Sequence, residues 1–421
     1  MKGFNDNIKD SIRGIYNKTL KDKSCQESIE ILDKISKDIS GENYENFEAY
    51  NRIIEYELFD EEFYLKQCDS PIKTDSLLHY IYIGHLSDLN PCEKFDTKFY
   101  RDFNPNIKED DNPLVYLVNH GIYEGIIKVN QDIWQPPAIN KYEMDEKIAD
   151  MNEYGLNTCD ERNIPVIISL TSYPKRINEV QYTIYSLLNQ EMKADKIVLW
   201  LSYEEFPNRE SDLPETLIKF LKYGLTIKWC DSKRSYKKLI PSLTEYPDAL
   251  IVTADDDLYY PRNWLKGLYE HHQKYPDDIV THRSRKIGFE NGEVKKYLDW
   301  TVLRDEKDAS YLNFFTTGGG VLFPPHSLSD KIHQREIYDN VCPNGDDMWF
   351  WAMAVLNDTK TRVVSDSVWE LTYVNPARDL LFKRDTLWSY NETHNDEQFK
   401  RLLDTFPDVY EKILKEDEEK Q

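Results

Sequence analysis

From residue 164 onward the chain alternates short apolar runs with helical patterns, and that alternation narrows the fold more than any other feature. Val166-Ile167-Ile168-Ser169-Leu170 reads as a buried strand, Ile197-Val198-Leu199-Trp200 as a second, Leu225–Cys230 as a third and 249–253 as a fourth. Between them Ile177, Val180, Ile184 and Leu187 share one helical face, Leu217, Phe220 and Leu221 mark a second helix, and 238–246 a third. Strands separated by helices of about 10–15 residues predict an α/β unit around a mostly parallel sheet.

Ligands of open α/β sheets sit beyond the carboxyl ends of the strands. The fourth strand runs straight into Asp255-Asp256-Asp257. Extended chain alternates faces, so Asp255 and Asp257 share one side if the strand geometry continues. Carboxylates in this position suit Mg²⁺ or Mn²⁺ shared with a diphosphate, the cation neutralising a leaving phosphate. The plainer reading is a solvated acidic turn capping the helix after Pro261.

Overall charge sharpens the point. Against 76 Asp and Glu stand 53 Lys and Arg, a formal net charge of -23. Such a field argues against nucleic acid or an anionic membrane as the main partner. It would also repel a nucleotide, so a bound cation or local Lys and Arg must reverse the sign at any diphosphate site. Lys237 and Lys238, just before the third helix, are the candidates, with Arg234 a weaker one; the plainer reading is a solvated helix face.

The first part of the chain has another character. Ile29, Leu32, Ile35 and Ile39 recur at helical spacing. Residues 59–125 contain a repeat at an offset of 36: Phe59-Asp60 returns as Phe95-Asp96, Phe63-Tyr64 as Phe99-Tyr100, and Asp75, Leu78 and Tyr80 as Asp111, Leu114 and Tyr116. A glycine follows each copy, Gly84 and Gly121. Two copies are too few for a solenoid and predict a small all-α repeat domain over 1–130. A linker follows over 131–163, marked by Pro136-Pro137, and the α/β domain fills 164–415. With no converging acid–base set in it, the helical part reads as dispensable for chemistry.

Six cysteines, at 25, 68, 92, 159, 230 and 342, include no C-x-x-C pair. Sparse cysteine in a chain this long predicts a reduced, cytoplasmic setting. Residues 1–15 lack the apolar core of a signal peptide, and no stretch of 18 apolar residues occurs. A soluble protein, at most peripheral to a membrane or a polysaccharide assembly complex, is expected.

Five segments together carry a family resemblance: Ser169 through Ile177, Ser235-Tyr236-Lys237-Lys238-Leu239-Ile240-Pro241, Thr253 through Asp257, Gly318-Gly319-Gly320-Val321-Leu322-Phe323-Pro324-Pro325, and Asp346-Asp347-Met348-Trp349-Phe350. In order and spacing they resemble GT-A-fold glycosyltransferases, in particular the family 2-like enzymes of bacterial capsule and surface-polysaccharide synthesis. The repeat, best in its second copy, resembles a helical module found beside bacterial glycosyltransferases. The resemblance implies a nucleotide-diphosphate-sugar donor, by family habit a UDP-sugar, a glycan acceptor and inversion. It implies that Thr171, Tyr173 and Arg176 receive the nucleotide, with Tyr173 on the base and Arg176 on a phosphate. Lys237, Lys238, Asp255 and Asp256 complete the donor site. Gly319 and Gly320 line donor sugar and acceptor. Asp257 and Asp255 hold Mn²⁺ or Mg²⁺, with His394, in the polar stretch 391–396, a further metal ligand. Asp347 is the catalytic base, Asp346 its runner-up, and a helix N-terminus under the pair favours the ionised form.

Two rivals remain at this level. A sugar nucleotidyltransferase would carry a glycine-rich basic loop after the first strand, where this chain has Thr-Ser-Tyr-Pro-Lys-Arg. A non-catalytic glycan-binding protein has no need of the acids at 255–257 and 346–347.

Overall fold

The structure is a computed structural model. It describes residues 26–41, 43–159, 161–231, 234–305, 307–365, 367–382 and 387–420, the side chains of 27, 28 and 387–392 aside. The expectation made for residues 1–15 lies outside them. The described residues form two compact units, one of 26–142 with 375–382, the other of 143–374 with 387–420. The expected stretch 131–163 therefore divides between the units and contains a helix, Lys141–Ala149. The return of 375–382 to the first unit is a feature the linear reading lacked.

The first unit is built of short helices: α1 (Gln26–Ser40), α2 (Glu45–Glu55), α3 (Glu61–Leu65), α4 (Ser76–Tyr82), α5 (Thr97–Phe103) and α6 (Pro113–Tyr116). Each half-repeat starts on a capping side chain that satisfies orphan N–H groups. Asp60 accepts from the Phe63 N–H, Asp96 from Phe99, Asp75 from Leu78, and Asn112 from Leu114 and Val115. Pro113 occupies the first helical position after Asn112, where no N–H is needed. These caps correct the repeat. The first halves align at 36, Asp60 with Asp96 and Tyr64 with Tyr100. The second halves align at 37, Asp75 with Asn112 and Gly84 with Gly121. One extra residue in the intervening turn accounts for the shift. The buried Tyr80 therefore answers to the buried Leu117, not to the half-buried Tyr116. In both copies the second aromatic needs the glycine: a Cβ on Gly84 would lie 2.0 Å from the Tyr64 hydroxyl, and one on Gly121 2.1 Å from that of Tyr100.

Helix α1 buries Ile31 and Ile35, while Ile29 and Ile39 are 50% and 39% exposed. Of the expected stripe only Ile35 is buried and Leu32 half-buried, while Ile31, which the stripe left out, is buried. Lys34 Nζ donates to the Tyr82 carbonyl at 2.8 Å, and Tyr82 donates to Asp38 at 2.8 Å. These two bonds fix a narrow contact line against α4.

The second unit carries an eight-stranded sheet of β1 (Val166–Thr171), β2 (Lys196–Ser202), β3 (Leu225–Cys230), β4 (Leu250–Thr253), β5 (Ile279–Thr281), β6 (Lys307–Ser310), β7 (Val321–Phe323) and β8 (Thr361–Val363). Its order is β6-β8-β5-β7-β4-β1-β2-β3. The pairs β1–β2, β2–β3, β1–β4 and β5–β8 are parallel; β7 runs antiparallel between β4 and β5, and β6 antiparallel at the edge. The result is a mixed α/β unit on a large, mostly parallel sheet. Both faces are covered, as parallel strands require: Val166, Ile168 and Leu170 enter one apolar layer and Ile167 the other. Helix α7 (Asp346–Leu356), apolar on nearly every side, is sunk in the second layer, with Trp349, Phe350 and Trp351 fully buried.

Candidate functional site

Sheet order locates the site. From β1 the chain steps outward to β2 and β3, then returns to place β4 on the other side of β1. Loops leaving β1 and β4 diverge at this switch point, where α/β sheets open a crevice. In the parallel register Ser169 faces Thr253. Three residues further on, just past the strand ends, Ser172 and Asp256 meet, and Ser172 Oγ donates to Asp256 Oδ2 at 2.5 Å.

The strand does not continue through the acids. It ends at Thr253, and Asp256 and Asp257 lie in a turn. The expected alternation, with Asp255 and Asp257 together, therefore fails. Instead Arg176, from the β1 loop, binds Asp256 at 3.0 Å and Asp257 at 2.7 Å. Asp255 turns the other way, to Lys238 Nζ at 2.7 Å, and Lys238 also reaches Asp346 at 3.1 Å. Burial works to lower the Arg176 and Lys238 pKa values, but the carboxylates around each outweigh it, and both are raised well above the ordinary range. Both stay charged. Lys237 is buried as well, donating to the Ser172 carbonyl at 3.2 Å and pairing with Glu205. The solvated lysine face considered from the sequence is thus an interior one.

The glycine loop is wired to the same point. Because β7 runs antiparallel with Val321 opposite Thr253, the residues preceding β7 face those following β4. A Cβ on Gly318 would lie 2.5 Å from Asp255 Oδ2. Tyr260 clamps the two segments, its hydroxyl accepting from the Asp255 N–H and donating to the Gly318 carbonyl, each at 2.8 Å. Gly319 and Gly320 are buried, their Cβ positions taken by the Arg283 side chain and the Trp264 ring. Gly320 has φ +103, a conformation that glycine adopts without strain.

Asp347 Oδ1 accepts from the Thr317 N–H at 2.9 Å and from its hydroxyl at 2.5 Å. Burial, then Asp346, push its pKa up to about 7, against the lowering influence of Lys238 and Thr317. The helix N-terminus was expected to favour the ionised form. Desolvation and a like-charged neighbour exceed that influence here.

Five carboxylates thus converge on two buried cations. Ser172, Tyr260, Thr317 and Gly318 belong to this cluster; Ser172 and Gly318 lie in segments singled out from the sequence without a role of their own, while Tyr260 and Thr317 lie outside them. Thr171 donates to the Trp200 carbonyl at 2.7 Å, anchoring the loop base on β2. Tyr173 keeps part of its surface, with the Arg176 guanidinium 5.7 Å from its ring centre. Arg234 is tied to the loop before α7 through the Pro343 carbonyl and Asn344, each at 2.8 Å. His394 lies not in a loop but in the helix Leu387–Thr405, bonded to Thr393 at 2.8 Å.

As placed, these residues do not fit a metal ion. The described residues contain no group of three or more His, Cys, Asp or Glu side chains positioned to hold one. Lys238 and Arg176 already occupy the positions a cation would neutralise. No described helix is long and apolar enough to cross a membrane, and the five described cysteines are free thiols.

No family model matches the sequence, and no curated protein does. Among solved structures, the chain is similar to the crystal structure of S. aureus TarS 1-349, at TM-score 0.35 and 14% identity, over 57% of this chain and 71% of that one. The same fragment in complex with UDP gives 0.34 and 12%, over 51% and 62%. The crystal structure of S. aureus TarS gives 0.33 and 13%, over 51% of this chain and 38% of that one.

Proposed function

We propose that this protein is a glycosyltransferase that moves a sugar from a nucleotide-diphosphate donor to a hydroxyl of a glycan acceptor. Following the sequence resemblance, the donor is a UDP-sugar, the product a bacterial surface polysaccharide, the stereochemistry inverting, and the setting the cytoplasm or the inner face of the membrane. One observation supports this reading above the others. Asp347, with a pKa pushed up to about 7, sits in the acid cluster at the switch point of the sheet. A base poised near neutral pH suits removal of a proton from an attacking hydroxyl.

In the proposed reaction the acceptor oxygen attacks the anomeric carbon as its proton passes to an Asp347 carboxylate oxygen. The bond from the anomeric carbon to the diphosphate oxygen breaks, and the diphosphate leaves with the electron pair. Thr317 holds Asp347 through two hydrogen bonds, fixing the direction from which the proton arrives. Arg176 is the cation at the β1–β4 crevice, and the Tyr173 ring beside it offers a face to the base. A divalent ion at Asp257, expected from the sequence, requires Arg176 to release that carboxylate, and no step is assigned to it.

The test is product analysis with a panel of UDP-sugars and a glycan acceptor. Release of nucleoside diphosphate with transfer of the sugar is expected. Pyrophosphate in its place would indicate a nucleotidyltransferase, and neither product with any donor would remove the proposal.

A further inference from the structure

In addition to the large sheet, the α/β unit carries a small antiparallel sheet of three strands, Thr301–Leu303, Ser284–Lys286 and Asn313–Phe315, in that order. Ser284 pairs with Leu303 on one side and with Phe315 on the other. One step outward, the same register sets Arg283 opposite Arg304 and opposite Thr316, whose N–H donates to the Arg283 carbonyl at 3.1 Å. The next residue, Thr317, holds Asp347 through two hydrogen bonds. The Arg283 side chain lies over Gly319, where a Cβ would stand. Arg285 follows two residues along the middle strand, so extended chain puts it on the same face as Arg283. Register thus gathers three arginines beside the segment that carries the proposed base.

Their surroundings are unlike those of the other cations at the site. Arg176 and Lys238 each hold two carboxylates. Arg283, Arg285 and Arg304 form no ion pair among the described residues, in a chain where 76 acids outnumber 53 Lys and Arg. Aromatic rings hold them instead. The guanidinium carbons of Arg283 and Arg304 lie 4.9 and 5.8 Å from the centre of the Trp369 ring, and that of Arg285 lies 5.3 Å from the Tyr297 ring. A ring face fixes the guanidinium plane and leaves its N–H edges free to donate. Arg304 is exposed and the other two half-buried; the Arg283 Nε is enclosed, so its terminal nitrogens are the donors it offers. Like charges directly across a sheet are destabilising, and an incoming anion relieves that. Tyr297, itself buried, links the cluster to the base: burial and then Asp347 push its pKa up to about 12, with Arg285 and Arg283 working against them.

We propose that Arg283, Arg285 and Arg304 form an anion subsite on the acceptor side of Asp347, and that the acceptor is an anionic glycan with a carboxylate or phosphodiester close to its attacking hydroxyl. The assignment to the acceptor rests on the glycosyltransferase reading. Guanidinium forks meet either anion with paired N–H donors. A chain of net charge -23 repels an anionic polymer over most of its surface, so a local group of unpaired arginines also orients it. The donor's diphosphate is the other source of an anion. Arg176 is the cation at the β1–β4 crevice, whereas these three belong to strands that lead to Thr317 and Asp347, where the attacking hydroxyl must lie.

The experiment uses the full chain on an array of neutral, uronic-acid-bearing and phosphodiester-linked oligosaccharides, with UDP affinity measured separately by calorimetry. Arg285→Gln and Arg304→Gln are compared with wild type, and Arg304→Lys restores the charge without the fork. Anionic glycans should bind in preference to matched neutral ones, and the charged class that binds more tightly identifies the group recognised. Both Gln variants should weaken that binding about tenfold or more, with part of the loss recovered in Arg304→Lys and UDP affinity unchanged. Equal binding of neutral glycans, binding of none, or unchanged anionic binding in both Gln variants overturns the proposal. Loss of UDP affinity with glycan binding intact assigns the arginines to the donor diphosphate and overturns it too. A wild type that binds anionic glycans through these arginines yet consumes no UDP-sugar removes the glycosyltransferase reading and leaves the anion site standing, so the two failures are told apart.

Discussion

Asp347 and Arg176 decide most at the scale of single residues. With a pKa of about 7, Asp347 accepts a proton only in its ionised form. Transfer should therefore rise with pH through a midpoint near 7 and level off above it. Asp347→Asn should bind donor normally yet transfer at least about a hundredfold more slowly, with the pH step gone. If Asp346→Asn loses transfer while Asp347→Asn keeps it, the assignment within the pair is reversed. The raised pKa also bears on stability. The folded state holds this proton where the unfolded state has released it, so this residue's contribution weakens as pH climbs from the ordinary carboxylate range to about 7 and is constant above. Arg176 is only 14% exposed at its side chain and neutralises two acids. Arg176→Ala should destabilise by about 3–5 kcal/mol, as breaking a buried ion pair does. Mn²⁺ alone should leave the wild-type Tm unmoved and recover part of the loss in Arg176→Ala. A wild-type Tm raised by Mn²⁺ alone would show that the ion competes successfully with Arg176 for the acids.

At the scale of elements, the repeat unit is a helix start on a carboxylate or amide cap, an aromatic underneath, and a glycine above it. The glycine contact is close enough to test. Gly84→Ala places a methyl on the Tyr64 hydroxyl, and overpacking of this kind costs about 1–3 kcal/mol. Tyr64→Phe removes the hydroxyl and with it the 2.6 Å bond to His79. If the contact is the cause, Gly84→Ala should be less damaging in a Tyr64→Phe background, and a double-mutant cycle on Tm or denaturant midpoint reads the difference. Additive losses would place the strain elsewhere. The 36-residue offset was legible because Phe-Asp and Phe-Tyr recur as pairs. The shift to 37 was not, because the Leu78–Leu114 and Tyr80–Tyr116 coincidences concealed it until caps and burial set the register.

At the scale of the whole molecule, the return of 375–382 to the first unit changes how the chain can be divided. Ala377 and Leu381 are buried in the helical core, and Phe382 stacks on Tyr56 at 4.2 Å between ring centres. Removing the N-terminal 142 residues strips these side chains of their cover. A chain beginning at 143 should therefore be less soluble than one in which Leu380, Leu381 and Phe382 are also made polar. Equal solubility, measured by light scattering at matched concentration, would show that 375–382 does not need the helical core. The clean dispensability read from the sequence thus gives way to a conditional one.

The first four strands and the acids after the fourth could be read from sequence because β1, β2 and β4 are mostly apolar runs and β3 alternates apolar with polar residues. The expected second helix is shorter, Glu215–Ile218 and then a 3-10 turn, with Leu221 42% exposed. β5, β7 and β8 could not, since three-residue strands carry no period of their own. Only the fold inserts β7 antiparallel beside β4, and that insertion brings Thr317 to Asp347 and Gly318 to Asp255. The sequence likewise determined which acids and cations are present, and the segments singled out, 171–176, 235–238, 253–257, 318–320 and 346–347, do come together in space. It did not determine who pairs with whom. Local alternation suggested Asp255 with Asp257; a turn after Thr253 separated them, giving one to Lys238 and the other to Arg176. It offered Lys237 and Lys238 as candidates to attract a diphosphate, or more plainly as a solvated face; the fold buried both. Ionisation followed the same rule. A helix N-terminus is visible in sequence, whereas the desolvation that outweighs it at Asp347 depends on how much protein lies around a carboxylate, a quantity that exists only once the chain has packed.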